Sequence, residues 1–140
     1  MTLQQRFSAF YTSLDTESLD RLPGVYHSRV TFIDPVAVHQ GILALDGYFR
    51  KLLNGCGRCD FVIRGWDFGE SRGWVNWTMN FETPRLNGGE AISVDGCSVL
   101  EIRDDRISFQ RDYYDMGAMV YEQVPLLGRV IRHIRGRMAA

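Results

Sequence analysis

Hydrophobic residues recur at helical spacing in the first part of the chain. Residues 3–14 carry one apolar stripe with steps of three and four residues, which predicts a first helix. Asp15 or Thr16 is suited to cap a second helix over residues 18–26. Pro23-Gly24 lies inside that span, so this helix is expected to be short or irregular. The stripe of the first helix consists of Leu3, Phe7, Phe10, Tyr11 and Leu14.

The next segment predicts one strand and one further helix. Residues 29–33 have the composition of a strand, which ends at Asp34-Pro35 because proline cannot continue a sheet ladder. A loop then leads to Gly41. Apolar residues from Ile42 onward predict a third helix that ends at Asn54-Gly55.

The second half of the chain reads mainly as strands. Asn87-Gly88-Gly89 and Asp104-Asp105 are the clearest hairpin turns. Residues 116–138 are helical again, with an interruption before Pro125. The order ααβα followed by four antiparallel strands predicts an α+β fold, a curved sheet folded around helices. The four strands are predicted at residues 60–68, 73–82, 91–102 and 106–115.

Size and composition narrow the classes of protein. A chain of 140 residues is expected to form a single domain over residues 1–140. The formal charge of −1 gives no general attraction to nucleic acid. No apolar run approaches the roughly 20 residues of a transmembrane helix, and the polar N-terminus does not resemble a signal peptide. A cytoplasmic location is therefore expected, and three cysteines fit a reducing compartment.

The order of elements, together with Val30-Thr31-Phe32-Ile33-Asp34-Pro35, resembles the superfamily of cone-shaped α+β proteins named after nuclear transport factor 2 (NTF2-like). That superfamily includes SnoaL-like polyketide cyclases, ketosteroid isomerases and limonene-epoxide hydrolases. The resemblance implies N-terminal helices packed in the concave face of a curved, mixed or antiparallel sheet, with a pocket in that face. It also implies a homodimer formed through the outer sheet face, and here a C-terminal helical extension over residues 116–140.

Residues 15–35 are similar to the matching stretch of bacterial ketosteroid isomerase, where the aspartate before the proline is the general base. The resemblance implies that role for Asp34. Asp95 resembles the second aspartate of that enzyme, which stays protonated and donates a hydrogen bond to the substrate oxyanion. The oxyanion-hole tyrosine of the isomerase aligns with Phe10, and Tyr11 is the next residue.

Residues 106–129 resemble the C-terminal end of limonene-epoxide hydrolase. The shared run is Arg111-Asp112-Tyr113-Tyr114-Asp115-Met116, in which the first aspartate of the hydrolase is catalytic, so the resemblance implies a role for Asp112. The arginine and the other aspartate of that enzyme align near Met79 and Phe81. Two of its three charges are missing here, which argues against epoxide hydrolysis.

Period-2 alternation assigns side chains to the two faces of each strand. If Phe81 faces the pocket, Val75, Trp77 and Met79 do so too, as do Gln110, Asp112 and Tyr114 on the last strand. Asp95 is expected there with Cys97 and Val99. Three carboxylates in an apolar pocket would have raised pKa values and would suit proton transfer on a hydrophobic small molecule. The candidate catalytic residues are Asp34, Asp95, Asp112 and Tyr114, and the candidate ligand-binding residues are Tyr11, Trp66, Trp77, Met79, Phe81 and His39.

Each candidate also has a structural alternative. Asp34 can be a turn residue before Pro35, and Asp95 can simply begin a strand. Asp112 can be a structural carboxylate, and Asp115 is better suited to cap the following helix. Cys56 and Cys59 form an isolated CxxC that is expected to be two free thiols, and the sequence predicts neither a metal site nor a cofactor.

The C-terminal segment combines an apolar stripe with arginines. One alternative is a helix packed on the cone or on a dimer partner, and the other is a basic amphipathic helix that touches anionic lipid. The stripe consists of Leu127, Val130, Ile131, Ile134 and Met138, and the basic residues are Arg129, Arg132, His133, Arg135 and Arg137.

Two functions therefore stay open at the level of the sequence. The first is a small-molecule enzyme that catalyses cofactor-free isomerisation or cyclisation next to a carbonyl group. The second is a non-catalytic ligand-binding or accessory protein, with a purely structural dimer module as a variant of it. Convergence of Asp34, Asp95 and Asp112 on one cavity would favour the enzyme.

Overall fold

A curved sheet of six strands forms the wall of the fold in the computed structural model, which describes residues 1–140. The strand order is β2-β1-β6-β5-β4-β3. All neighbours are antiparallel except β1 and β6, which run parallel. The strands are β1 (Tyr26–Ile33), β2 (Val38–Gln40), β3 (Arg58–Phe68), β4 (Arg72–Glu82), β5 (Ile92–Arg103) and β6 (Arg106–Tyr114).

Five α-helices and three short 3₁₀ turns complete the α+β fold. The first helix begins with a capping box, in which the Thr2 side chain accepts from the Gln5 backbone N–H and the Gln5 side chain accepts from the Thr2 backbone N–H. The helices are α1 (Leu3–Thr12), α2 (Leu22–Val25), α3 (Ile42–Gly55), α4 (Met116–Met119) and α5 (Leu127–Ala139). The 3₁₀ turns are Ser18–Arg21, Asn87–Gly89 and Tyr121–Gln123.

The hydrophobic core lies between the helices and the concave face of the sheet. Twenty-one buried apolar residues form one cluster. Helix α1 contributes Phe7 and Phe10, and α3 contributes Leu45 and Phe49. Burial of each such side chain contributes about 1.5–3 kcal/mol to folding. The predicted inward set of β4 is confirmed, because Val75, Trp77, Met79 and Phe81 are all at most 4% exposed.

The predicted fold class is confirmed, and the differences lie at particular boundaries. Strand β1 begins at Tyr26, which the sequence placed in the second helix. Strand β2 was missed, because three residues are too few to show alternation. The predicted C-terminal helix is divided into α4, a 3₁₀ turn and α5 around Val120 and Leu126.

The parallel pairing of β1 with β6 brings the ends of these strands to one edge of the fold. Ile33 pairs with Arg111. The next residue on each strand is an aspartate, Asp34 and Asp112, and both side chains turn to the concave side. The register of two strands distant in sequence therefore places two carboxyl groups beside one cavity.

Candidate functional site

A small cavity lies between the sheet and the helices where β1 and β6 end. Its volume is about 40 Å³, whereas typical ligand pockets have volumes of roughly 300–1,000 Å³. The space suffices for about one water molecule. A larger ligand must therefore displace some of the lining side chains. These are Tyr11, Phe32, Asp34, Tyr48, Phe49, Leu52, Phe61, Trp77, Met79, Asp112, Tyr114 and Met119.

Asp112 is held by hydrogen bonds to one of its two oxygens. Ser98 Oγ donates to Asp112 Oδ1 at 2.6 Å, and Gln110 Nε2 donates to the same oxygen at 2.8 Å. Trp77 Nε1 in turn donates to Ser98 Oγ at 2.9 Å, which fixes the serine. No donor in the protein reaches Oδ2. That oxygen is therefore available to a molecule in the cavity.

The electrostatic surroundings of Asp112 favour its protonated form. Burial is the main cause that raises the pKa of Asp112 to about 7, and the charge of Asp34 raises it further. The hydrogen bonds from Ser98 and Gln110 act in the opposite direction. No ion pair of the protein includes Asp112. A carboxyl group with this pKa can both take up and release a proton near neutral pH.

A chain of polar side chains extends from Asp112 into the core. The hydroxyl oxygens of Tyr11 and Tyr26 are 2.5 Å apart, and Tyr26 donates to Gln110 Oε1 at 2.7 Å. Burial is the main cause that raises the pKa of both tyrosines, so both remain protonated donors. A satisfied network of this kind holds its members in one arrangement. These hydrogen bonds therefore hold Gln110, and through it Asp112, in place from the core side.

Asp34 combines the turn role and the cavity role that the sequence left open. Its Oδ1 accepts from the backbone N–H groups of Val36 and Ala37, each at 2.9 Å, which stabilises the turn at Pro35. Its Oδ2 accepts from the Tyr48 hydroxyl. The side chain lines the cavity while it is only 8% exposed. Asp34 therefore has both oxygens engaged, in contrast to Asp112.

Two further phenols face the carboxyl groups. Burial, followed by the hydrogen bond to Asp34, raises the pKa of Tyr48. Burial, followed by the charges of Asp34 and Asp112, raises the pKa of Tyr114. Both hydroxyls therefore stay protonated, and the Tyr114 hydroxyl makes no hydrogen bond within the protein. Tyr114 can donate to an oxygen of a ligand.

The predicted position of Asp95 in the pocket is wrong. Val94, Ser98 and Leu100 of β5 are buried on the concave face, so alternation turns Asp95 to the convex face. There Thr78 Oγ1 donates to Asp95 Oδ1 at 2.6 Å. The same alternation overturns the expected inward positions of Cys97 and Val99, and Val99 is 43% exposed.

Gly96 occupies the concave face between the buried residues of β5. The Trp77 ring lies directly over it, and a Cβ atom at this position would be 2.2 Å from that ring. A side chain here is excluded by the packing of Trp77. Gly96, which faces inward next to Asp95, therefore leaves room for the Trp77 indole ring and contributes no carboxyl group.

The predicted ligand-binding residues divide between the cavity and other places. Tyr11, Trp77 and Met79 line the cavity as predicted. Phe81 is buried on the same face but does not line it. His39 and Trp66 also lie outside the cavity lining. The sequence therefore predicted part of the aromatic lining of the cavity correctly.

The positions of these last two side chains have physical explanations. The His39 ring stacks on Tyr48 with 4.1 Å between ring centroids, so it supports the wall from outside. Its buried Nε2 has no hydrogen-bond partner. Trp66 is 50% exposed beside Phe68 and lines a separate surface pocket of about 460 Å³. Trp66 lies on a predicted strand and His39 lies on β2, which the sequence did not predict, and both side chains end away from the cavity.

The most informative residue that the sequence analysis missed is Tyr48. It lies on α3 at steps of three and four from Leu45 and Leu52, within the apolar stripe that predicted this helix. That spacing was the available signal, because it aims Tyr48 at the same space as Phe49 and Leu52. The hydroxyl group then reaches Asp34.

The remaining candidate residues have structural surroundings. Asp115 caps α4 as predicted, because its side chain accepts from the Gly117 backbone N–H at 2.8 Å. All three cysteines are free, and a hydrogen bond with Cys59 lowers the pKa of the Cys56 thiol to about 7. The structure contains no group of three or more side chains of the kinds that hold a metal ion.

Comparison with solved structures identifies the same fold at low sequence identity. A hypothetical protein with a ketosteroid isomerase-like fold from Catenulispora acidiphila DSM 44928, in complex with trimethylamine, matches with a TM-score of 0.73 and 16% identity over 90% of this chain and 95% of that chain. A putative SnoaL-like polyketide cyclase from Jannaschia sp. CCS1 matches with a TM-score of 0.70 and 12% identity over 84% and 88%. TerC co-crystallised with polyporic acid matches with a TM-score of 0.71 and 15% identity over 84% and 94%.

Comparison with models of sequence families shows which family the chain belongs to. A search of curated protein sequences finds no significant match. The family model of the SnoaL-like domain matches residues 7–110, which include α1 from Phe7 onward, α3 and the strands up to Gln110 of β6. This chain therefore belongs to the SnoaL-like domain family, within the NTF2-like superfamily of cone-shaped α+β proteins.

Proposed function

We propose that the protein binds a hydrophobic small molecule in the cone and catalyses cofactor-free proton transfer next to a carbonyl group, in an isomerisation or a cyclisation. The observation that carries this proposal is the state of Asp112. Its pKa is about 7, its Oδ2 has no partner, and it borders a largely apolar cavity. These are the properties of a general acid–base group at neutral pH.

In the proposed reaction Asp112 acts as the base and then as the acid. Its ionised Oδ2 removes a proton from the carbon next to the substrate carbonyl, and the electron pair of the broken C–H bond moves toward the carbonyl oxygen as an enolate. The protonated Asp112 then returns the proton to a carbon of the conjugated system. The network behind Gln110 keeps the carboxyl group oriented during both steps.

The developing negative charge on the substrate oxygen needs a hydrogen-bond donor. Tyr114 is the first candidate because its hydroxyl is free, neutral and on the cavity wall. Tyr48 is the second candidate, and Asp34 assists by orienting it. In this assignment Asp112 takes the role of base that the resemblance gave to Asp34, because both oxygens of Asp34 are already engaged.

The names of the relatives agree with a small-molecule function. The Jannaschia protein is described as a putative polyketide cyclase, and the TerC and Catenulispora structures each hold a small organic molecule. The cavity of about 40 Å³ means that substrate binding requires side chains of the wall to move. Leu52, Tyr114 and Met119 are suited to do so, since they are only partly buried.

The experiment uses hydrogen–deuterium exchange on a probe in place of an unknown substrate. The probe is a hydrophobic 1,3-diketone, 1-phenylbutane-1,3-dione, incubated with the protein in D₂O and followed by NMR at the carbon between the carbonyl groups. We expect the wild type to accelerate exchange above buffer, and Asp112→Asn to lower that rate by about 100-fold or more.

Asp95→Asn is the matched control. It makes the same chemical change on the neighbouring strand, on the opposite face of the sheet, and should leave the exchange rate within about twofold. Equal rates for the two variants would refute the catalytic role of Asp112. Circular dichroism of both variants establishes that each remains folded.

A non-catalytic ligand-binding or accessory role is the second candidate, and it has its own supporting observation. Both oxygens of Asp34 take part in the local structure, as a purely structural carboxylate would. In that case the wild type would bind the diketone in a saturable manner, measured by quenching of tryptophan fluorescence. Exchange would then proceed no faster than in buffer.

A further inference from the structure

The C-terminal helix α5 exposes its apolar side to solvent. Four residues spaced by four form one line along it, which we call the apolar ridge: Leu126, Val130, Ile134 and Met138. Their exposed fractions are 76%, 48%, 50% and 83%. Such a line is normally the buried side of an amphipathic helix. Leu127, Val130, Ile134 and Met138 of the predicted stripe are exposed, so the expectation that this stripe packs on the cone is wrong. Packing on a dimer partner, the other part of that alternative, stays a prediction.

The polar side of α5 is the side that contacts the rest of the protein. Arg132 Nη1 donates to the backbone oxygen of Glu122 at 2.9 Å. Arg135 pairs with Glu122 at 2.9 Å and with Asp115 at 3.2 Å. Gly128 is buried against Glu122, where a Cβ atom would be 2.3 Å from the backbone oxygen. These contacts orient the helix so that its apolar ridge points away from the domain.

Positive charge without an internal partner borders the apolar ridge. Arg129 and Arg137 take part in no ion pair, and residues 126–140 contain four arginines and no acidic residue. With a rotation of 100° per residue about the helix axis, the side chains of Arg137 and His133 point within about 20° of the direction of Leu126. Whatever covers the ridge must therefore be apolar in its interior and negative at its border.

We propose that α5 docks on an anionic lipid surface, with the apolar ridge among the headgroups and Arg129 and Arg137 at the phosphates. A basic helix with one apolar side and low overall hydrophobicity is the type that lies in the plane of a membrane interface. A second copy of α5 would bring the same positive border to the contact, so charge favours lipid over self-association. None of the helices has the length and the apolar character that crossing a membrane requires.

The experiment is flotation of the full chain with two kinds of vesicle, phosphatidylcholine alone and phosphatidylcholine mixed with phosphatidylglycerol. We expect binding only to the mixed vesicles, and weaker binding as salt is added. Two double variants separate the contributions. Arg129→Gln with Arg137→Gln should weaken binding by roughly 25-fold, at about fivefold per arginine, and Val130→Ser with Ile134→Ser should weaken it by about tenfold or more.

Leu43→Ser is the control for exposed apolar surface. Leu43 lies on α3 and is 86% exposed, so its replacement should leave vesicle binding unchanged. Equal binding to both kinds of vesicle, or binding to neither, overturns the proposal. Sedimentation velocity tests the other occupant: a wild-type dimer that the Val130→Ser, Ile134→Ser variant converts to a monomer would assign the ridge to a second copy.

Discussion

Each face of the sheet carries one aspartate that accepts a short hydrogen bond from a hydroxyl group. The surroundings of the two aspartates differ. Asp112 on the concave face accepts a hydrogen bond of 2.6 Å from Ser98, and Asp95 on the convex face accepts one of 2.6 Å from Thr78. Around Asp112 the cavity walls are mainly aromatic and aliphatic and contain no cationic side chain. Asp95 is exposed to solvent, and Arg64 donates to Thr78 beside it. The environment beyond the first hydrogen bond therefore decides the chemistry of a carboxyl group.

The largest expected difference between the two faces is in the pH dependence of stability. The pKa of Asp112 is raised from 3.8 to about 7 in the folded protein, so the folded state holds a proton that the unfolded state has lost between these values. Stability is therefore full below about pH 4 and falls as the pH rises through 7, by about 2–4 kcal/mol. Asp112→Asn should remove this loss, as measured by urea unfolding from pH 4 to 8.

Asp95→Asn provides the comparison on the convex face. The free energy of unfolding of this variant should follow that of the wild type in parallel over the same pH range, because the replaced side chain is solvated. The asymmetry between the faces would be refuted if Asp112→Asn kept the slope of the wild type. It would be refuted equally if Asp95→Asn changed that slope as much as Asp112→Asn does.

The hydroxyl donors give a second, smaller difference. Ser98→Ala removes a hydrogen bond that lowers the pKa of Asp112 and leaves Trp77 Nε1 without an acceptor. We expect a loss of about 1–3 kcal/mol in the free energy of unfolding, and a carboxyl titration above pH 7 by ¹³C NMR. Thr78→Val keeps the shape of the side chain and should cost less than about 1 kcal/mol. A similar cost for both variants would show that the burial of the accepting carboxyl group does not matter.

The smallest effect on stability is expected for a change on the convex face alone. We propose that this face forms a homodimer, because Trp74, Val99 and Tyr113 are 42%, 43% and 52% exposed on neighbouring strands. Val99→Glu should change the free energy of unfolding of the monomer by less than about 0.5 kcal/mol. It should, however, convert the dimer to a monomer in sedimentation velocity.

Val38→Glu is the control for the dimer prediction. Val38 is 57% exposed on β2, at the opposite edge of the sheet from β3, and its replacement should leave the dimer intact. A wild-type protein that sediments as a monomer at all concentrations would refute the convex-face dimer. In that case the exposed aromatic residues would need another explanation.

Local patterns in the sequence predicted the elements that bury a repeated face. The stripe of α1 and the alternation of β4 were sufficient, because a buried face imposes a period of 3.6 or 2 on the residues. Asp112 was assigned to the inner face by the same rule. The fold class followed from the order of these elements, and the family match supports it.

The errors arose where the local pattern was not followed or did not suffice. Val94 and Leu100 set the inward phase of β5, yet the likeness to ketosteroid isomerase placed Asp95 inward, one residue out of phase. No local pattern encodes the parallel pairing of β1 with β6, which brings Asp34 beside Asp112. Tyr48 was missed because its role depends on its distance from Asp34, which only the tertiary structure sets.

The pairing of β1 with β6 has a consequence for how the protein assembles. Strands β3 to β6 follow one another as antiparallel neighbours, so each can pair with its predecessor soon after it is made. Tyr26 and Gln110, by contrast, are 84 positions apart. A long loop must therefore close, at a cost in conformational entropy, before these two residues make contact. During synthesis β1 can pair with β6 only after β6 has been made. We expect β3 to β6 to form in a fast refolding phase. Asp34 and Asp112 should come together in a slower phase, when β1 pairs with β6.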